Sequence, residues 1–94
     1  MNEADVKRAR SGDKDLNWAE LQGANLSKAN LNDAKLSKAK LSKADLSGSF
    51  LASSDLSNAD LTGANLKGAY LVRANLKGAN LSDADLSDAD LSPA

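Results

Sequence analysis

The sequence predicts a solenoid, a fold in which the backbone turns by the same amount every five residues. Three observations predict it. Leu recurs at every fifth position from Leu16 to Leu91, sixteen times without a slip. The residue two before Leu is Ala in thirteen of these sixteen units. The residue two after Leu is Gly, Asn or Asp in nine of them, and these types tolerate the positive φ that a tight corner requires.

A period of five fits neither regular secondary structure. On an α-helix, five residues advance the side chain by about 140° net, so the Leu side chains would spiral around the axis. On a straight strand, successive Leu side chains would point to opposite faces. A corner after every Leu lets each Leu, and the Ala two before it, point inward in every unit. The predicted core is Leu21, Leu26, Leu31, Leu36, Leu41, Leu46, Leu51, Leu56, Leu61, Leu66, Leu71, Leu76, Leu81 and Leu86.

Two groups of residues depart from the repeating unit. Long basic side chains stand at the corner position in four units, where we expect a second turn type: Lys28, Lys38, Lys43 and Arg73. Ser49 and Ser54 replace the inward Ala in adjacent units. Because buried polar groups are normally satisfied, we expect both hydroxyls to bond to nearby backbone.

The unit A-(D/N)-L-S-x, repeated over residues 14–93, closely resembles the pentapeptide-repeat family, whose motif is A(D/N)LXX. The resemblance implies an all-β solenoid, a right-handed quadrilateral β-helix with four pentapeptides in each square coil. Four coils would then cover residues 14–33, 34–53, 54–73 and 74–93. Leu and the small residue before it would fill the interior.

The first 13 residues are expected to form an N-terminal cap, since an open stack exposes an unpaired ladder at its end. Asn2 suits an N-cap and Gly12 a C′ position, which predicts a short α-helix over about residues 3–10. Val6, together with Ala9, would cover the first coil, and Trp18 would pack beneath the helix.

At the other end, the chain stops three residues after Leu91. Pro93 cannot adopt positive φ or donate to a further coil. The last coil is then bare, or covered by a partner, or the chain is an excerpt.

Composition removes most catalytic chemistry. The chain has no Cys and no His, so it lacks a thiolate nucleophile, a Cys-based zinc site and the commonest general base. The Asp and Lys side chains would lie on a convex surface without a cleft, and we expect no enzyme, cofactor or metal site. The four lysines of the second coil are expected to form a solvated band, and four aspartates of the last coil a solvated acidic tip. The lysines are Lys35, Lys38, Lys40 and Lys43, and the aspartates are Asp83, Asp85, Asp88 and Asp90.

The net charge is −1, which argues against a nucleic-acid partner bound through bulk charge. No apolar run reaches the roughly 20 residues needed to span a bilayer. The N-terminus also lacks a signal-peptide segment. We therefore expect a bacterial, cytoplasmic protein with no membrane partner.

One outward patch stands out if residues twenty apart are stacked neighbours. Phe50 and Tyr70 each precede a Leu, and Ala52 and Val72 each follow one, so all four belong to one side of the second and third coils. They are the only apolar residues at those outward positions. Two interpretations remain open: cross-strand stacking that stabilises the ladder, or a contact site for a partner or a second copy.

The sequence therefore favours a non-catalytic solenoid that presents a rigid surface to an unidentified protein partner. A weak homodimer through the Phe50/Tyr70 face or through the uncapped C-terminal coil is a further expectation. The resemblance also suggests an alternative, since quinolone-resistance members mimic DNA and bind type II topoisomerases. That activity needs a long, continuously acidic rod, whereas the second coil is basic. Ice binding on a flat face needs ladders of Thr, and this chain has only Thr62.

Overall fold

The structure, a computed structural model, describes residues 1–92, so Pro93 lies outside the described residues. It confirms the predicted architecture: a right-handed quadrilateral β-helix preceded by one short helix, α1, at Glu3–Arg10. The β-helix is built from single-residue parallel bridges rather than long strands. Each bridge joins a residue before Leu to the residue twenty positions later, from Asp15 with Lys35 to Tyr70 with Asp90.

Hydrogen bonds between coils follow the same register on every side of the square. The Leu36 N–H donates to the Asp55 carbonyl oxygen at 2.7 Å, and the Lys38 N–H donates to the Ser57 carbonyl oxygen at 3.0 Å. In the opposite direction, the Lys35 N–H donates to the Lys14 carbonyl oxygen at 2.7 Å. Each unit of the second and third coils is therefore tied by hydrogen bonds to the coil before it and the coil after it. The stability of the fold thus comes from the stacking of coils, because a single unit has no such partners.

All fifteen described corners use one turn type. The Leu carbonyl oxygen accepts from the N–H three residues later, as for Leu16 and Ala19 at 3.1 Å. Only the second central residue of the turn has positive φ, which defines a type II turn. The prediction of a second turn type is wrong, because φ is 58–62° at Lys28, Lys38, Lys43 and Arg73. Every corner must have the same shape for the next coil to stay in register, so coil pairing outweighs the local preference of about 1–2 kcal/mol against this conformation.

The interior consists of Leu and Ala side chains stacked along the axis. The Leu side chains from Leu16 to Leu71 are at most 1% exposed. Leu76, Leu81 and Leu86 in the fourth coil are partly buried, and Leu91 is 45% exposed. Within the described residues these four have a coil on one side only.

The prediction for Ser49 and Ser54 is wrong in one respect. Both residues point inward and are 0% and 1% exposed, but neither hydroxyl has a hydrogen-bond partner. Their backbone groups are already used by the coil, since the Ser49 N–H donates to Leu46 and the Ser49 carbonyl accepts from Tyr70. The side chains face Leu and Ala, which offer nothing to a hydroxyl.

Helix α1 covers the polar edge of the first coil. The side chain of Asn2 accepts from the Asp5 N–H at 3.1 Å, which caps the helix as predicted. The Asn2 N–H donates to the Glu20 carbonyl, and the Asp5 carboxylate accepts from the Glu20 N–H, each at 2.9 Å. The Arg8 and Arg10 guanidinium groups donate to the carbonyl oxygens of Asp15 and Asn25. On three of the four sides of the first coil, the cap thus bonds to backbone N–H or carbonyl groups at the edge. A preceding coil would otherwise provide these hydrogen bonds.

The apolar contacts of the cap agree with the prediction for Val6 and Ala9 and differ from it for Trp18. Ala9 is fully buried and Val6 half-buried against the first coil. Trp18 does not pack beneath α1: it is 65% exposed at a corner, with the Lys38 Nζ 4.7 Å from its ring centroid. Ala9, and not Trp18, is the residue that is fully buried beneath the helix.

Candidate functional site

The candidate site is the aromatic face, which we define as Phe50, Tyr70, Ala52 and Val72. Phe50 and Tyr70 are paired by a parallel bridge on the second and third coils. Their rings are stacked, with centroids 5.0 Å apart and an interplanar angle of 3°. They nevertheless remain 41% and 47% exposed, so the pair forms a ridge that projects from a flat wall.

Small residues lie on both sides of this ridge. Ala52 and Val72 lie along one flank, and Gly48 and Gly68 form the corners along the other. Adding a Cβ at Gly68 would meet no heavy atom within 4 Å, so that corner is open. The rings therefore stand above shallow troughs.

Elsewhere, the residue before Leu has a structural task that aromatic side chains cannot perform. In eleven units this residue is Asp or Asn, and in ten of them its Oδ1 accepts the N–H of the residue two positions later. The bond from the Thr62 N–H to Asp60 is typical, at 3.0 Å. In these ten units the Asx turn satisfies the one backbone donor that the ladder does not use, and the Ser37 N–H donates instead to the Oδ1 of Asn17, at 2.8 Å.

The aromatic pair displaces this hydrogen bond at two neighbouring positions. At the first, the Ala52 N–H donates instead to the Oδ1 of Asn32, at 2.9 Å, from the coil below. At the second position, the Val72 N–H has no acceptor within residues 1–92. The residue twenty positions before Val72 is Ala52, which has no side-chain amide to accept from it. The role of Asn32 was missed from the sequence. The sequence feature that could have revealed this role is an Asn directly after Leu, twenty residues before a backbone N–H that has no Asx turn. Here Asn32 follows Leu31 and stands twenty residues before Ala52.

The same turns lower the pKa of aspartates that accept in them, such as Asp60 and Asp90. The Thr62 hydroxyl donates to Asp60 at 2.6 Å and lowers the pKa of that carboxyl, and the Thr62 N–H adds to the effect. The Ser92 hydroxyl lowers the pKa of Asp90 in the same way, at 2.7 Å. A carboxylate whose charged form is stabilised is a poor proton donor at neutral pH. Within residues 1–92 the structure has no pocket and no group of carboxylates placed to hold a metal ion.

Opposite charges alternate in two of the columns that pass through the basic second coil. Lys35 is bridged to Asp15 below and Asp55 above, and Lys40 lies in the same way between Glu20 and Asp60. Opposite charges stacked across a ladder are mildly stabilising, and like charges are not. The second coil is basic when it is counted by itself, but each of these lysines lies between two carboxylates.

No helix within the described residues has both the length and the apolar character needed to cross a membrane.

Comparison with known proteins supports the same architecture. The family model for pentapeptide repeats matches residues 15–51 and 54–92, in 8 copies. A comparison with curated protein sequences found no match.

Among the solved structures that are similar to this chain are three from cyanobacteria. HetL from Nostoc sp. strain PCC 7120, a pentapeptide repeat protein involved in heterocyst differentiation regulation, has 39% identity and a TM-score of 0.68 over 84% of this chain. Rfr23 from Cyanothece 51142 has 34% identity and a TM-score of 0.61 over 79% of it. Alr5209 from Nostoc PCC 7120 has 41% identity and a TM-score of 0.52 over 86% of it. The chain spans 41% of HetL, 54% of Rfr23 and 71% of Alr5209.

Proposed function

Because this chain belongs to the pentapeptide-repeat family, we propose that it is a non-catalytic solenoid that binds another protein through the aromatic face. One observation carries the proposal: two large rings stand exposed at positions where ten other units place an Asx turn. A net hydrogen bond is worth about 0.5–1.5 kcal/mol, and an aromatic pair is worth a similar amount. The aromatic pair therefore contributes about as much to the stability of the fold as Asx turns at positions 50 and 70 would, so stability gives little reason for the rings.

The form of the face suits binding. Aromatic rings, and Tyr in particular, are enriched at the centres of protein interfaces. The stack holds both rings in one orientation, so ordering them on binding costs little entropy. A regulatory role of the kind named for HetL fits a protein that acts through contacts. Three cyanobacterial neighbours support a bacterial origin.

Mimicry of DNA is the weaker candidate. It requires negative charge along the whole rod, since B-DNA carries one charge about every 1.7 Å of its axis. Lys35 and Lys40 interrupt two of the four stacked columns in the middle of the rod.

The test compares the wild type with the double variant Phe50→Asn/Tyr70→Asn. Asn restores the residue type that forms the Asx turn, so we expect the free energy of unfolding to stay within about 1 kcal/mol of wild type. Proteins captured by the wild type are purified, and their affinity for both forms is measured by calorimetry.

We expect the variant to bind at least tenfold more weakly, a loss typical of a buried aromatic anchor. Trp18→Ser is the matched control, because it removes an exposed aromatic residue from a corner outside the face. Equal affinity of the wild type and the double variant for every captured protein would refute the proposal.

A further inference from the structure

The corners beside the aromatic face carry charges of both signs in a defined arrangement. Lys28 and Asp33 are exposed on opposite corners at the level of the first coil. Arg73 lies on the same corner column as Asp33, at the third coil, and Asp88 lies on the column of Lys28, at the fourth. Each corner column thus has one sign at its lower end and the opposite sign above it.

We propose that the aromatic face pairs with the same face of a second copy of this chain, with the two rods parallel and side by side. This rests on the proposed function, since it names the protein that the face binds. The two-fold axis would run along the rods. Such an axis keeps every residue at its own coil level and exchanges the left and right halves of the face.

Shape is the first argument for this pairing. Exchanging left and right places the Phe50 ring opposite Ala52 of the second copy, and the Tyr70 ring opposite Val72. The aromatic ridge of each copy then enters the trough beside the ridge of the other. Apolar contacts are strongest where large side chains meet small ones without voids.

Charge is the second argument. The same operation places Lys28 opposite Asp33 of the second copy, and the reciprocal pair forms by symmetry. It also brings Arg73 within one coil level of Asp88. The stem of Lys28 is already laid along the corner of the second coil, since its Cγ lies 3.4 Å from the place of a Cβ on Gly48. No like charges oppose one another at these four positions.

An antiparallel pair satisfies shape less well. Its axis would run across the rods, so the rings of Phe50 and Tyr70 would oppose each other and Ala52 would oppose Val72. Ridge would meet ridge, and the troughs would stay unfilled. That arrangement would pair Lys28 with Asp88, which gives the two alternatives different charge partners.

The size of the face predicts a weak, reversible dimer. The molecule measures 33 × 24 × 23 Å, and four coils at strand spacing span about 19 Å of its length. One side of the square therefore offers on the order of 400 Å² per copy, about half the area of a standard stable interface.

The test is the weight-average mass from sedimentation equilibrium of the full chain, between about 10 µM and 1 mM, the range suited to so small an interface. We expect wild type to approach the dimer mass at the upper end, and Phe50→Asn/Tyr70→Asn to dissociate at least tenfold more readily. The double variant's unfolding curve, measured in parallel, shows that it is folded. A wild type that stays monomeric at 1 mM overturns the inference, while affinity for a different captured protein would still support the proposed function.

Two single variants test the orientation. In a parallel pair, Lys28→Asp and Asp33→Lys each oppose like charges twice, so each by itself should dissociate several-fold more readily. Mixed in equal amounts, they should form a heterodimer with an affinity close to wild type, because each like-charge contact becomes an opposite-charge contact. In an antiparallel pair, rescue would instead follow from mixing Lys28→Asp with Asp88→Lys. Rescue by the second mixture and not the first overturns the parallel arrangement.

Discussion

Replacing Ser49 and Ser54 by Ala should stabilise this protein, although each substitution removes a polar group. Both hydroxyls are buried and have no partner. A buried, unpaired polar group costs about 1–3 kcal/mol. The oxygen leaves a void on the order of 15 Å³, which costs about 0.4 kcal/mol at roughly 24 cal/mol per Å³. The net gain is then about 0.6–2.6 kcal/mol for each site.

The assay is thermal and urea unfolding followed by circular dichroism. For a domain of this size, about 1 kcal/mol corresponds to a rise of roughly 4–8 °C in Tm. The reverse substitution is a matched control, because Ala44 is fully buried at the same inward position. Ala44→Ser should lower the Tm by a similar amount. Ser42→Ala, at a half-buried outward position, should change the free energy of unfolding by less than about 0.5 kcal/mol.

A lower Tm for both Ser49→Ala and Ser54→Ala would refute this reasoning. It would mean that the hydroxyls make stabilising contacts, for example through buried water.

Three further predictions follow from the stack. Leu46→Lys should abolish cooperative unfolding, because burying an unpaired charge costs several kcal/mol and whole domains have only about 5–15; a sharp transition in urea would contradict the inward position of Leu46. Lys35→Asp would stack three carboxylates and should destabilise by about 0.2–1 kcal/mol for each of two contacts, more at low salt. Lys43→Asp is its control, since Lys43 has Gly above and below it, and equal losses in the two variants would count against the charge ladder. The lowered pKa of Asp60 stabilises the fold above the ordinary carboxyl pKa of about 4, and that stability is lost as the pH falls through the folded value. Asp60→Asn keeps the acceptor, so it should lose less stability than wild type in urea unfolding between pH 7 and pH 2.5; an unchanged loss would exclude this carboxyl as a source of acid sensitivity.

The five-residue period was enough to predict a corner and an inward Leu in every unit, and the resemblance to the pentapeptide-repeat family implied the square coil and its twenty-residue register. Leu occurs in phase throughout the chain, and only a backbone with a regular corner keeps it inward. The twenty-residue register also placed Phe50 above Tyr70, because coil spacing makes residues of one column neighbours whatever their type. The helix over residues 3–10 followed from its capping residues.

Tertiary contacts decided what local preference could not. Four basic residues adopt positive φ because each corner must keep its coil in register with two others. Trp18 occupies a corner of the coil with φ 67°, and its exposed ring contacts Lys38 rather than the helix. The amide of Asn32 replaces an Asx turn that belongs to a different coil, a bond between residues twenty apart that no local pattern announces. A repeat sequence determines the conformation of the average unit. Which hydroxyl and backbone N–H groups find a hydrogen-bond partner depends on the residues that the stacked coils bring together.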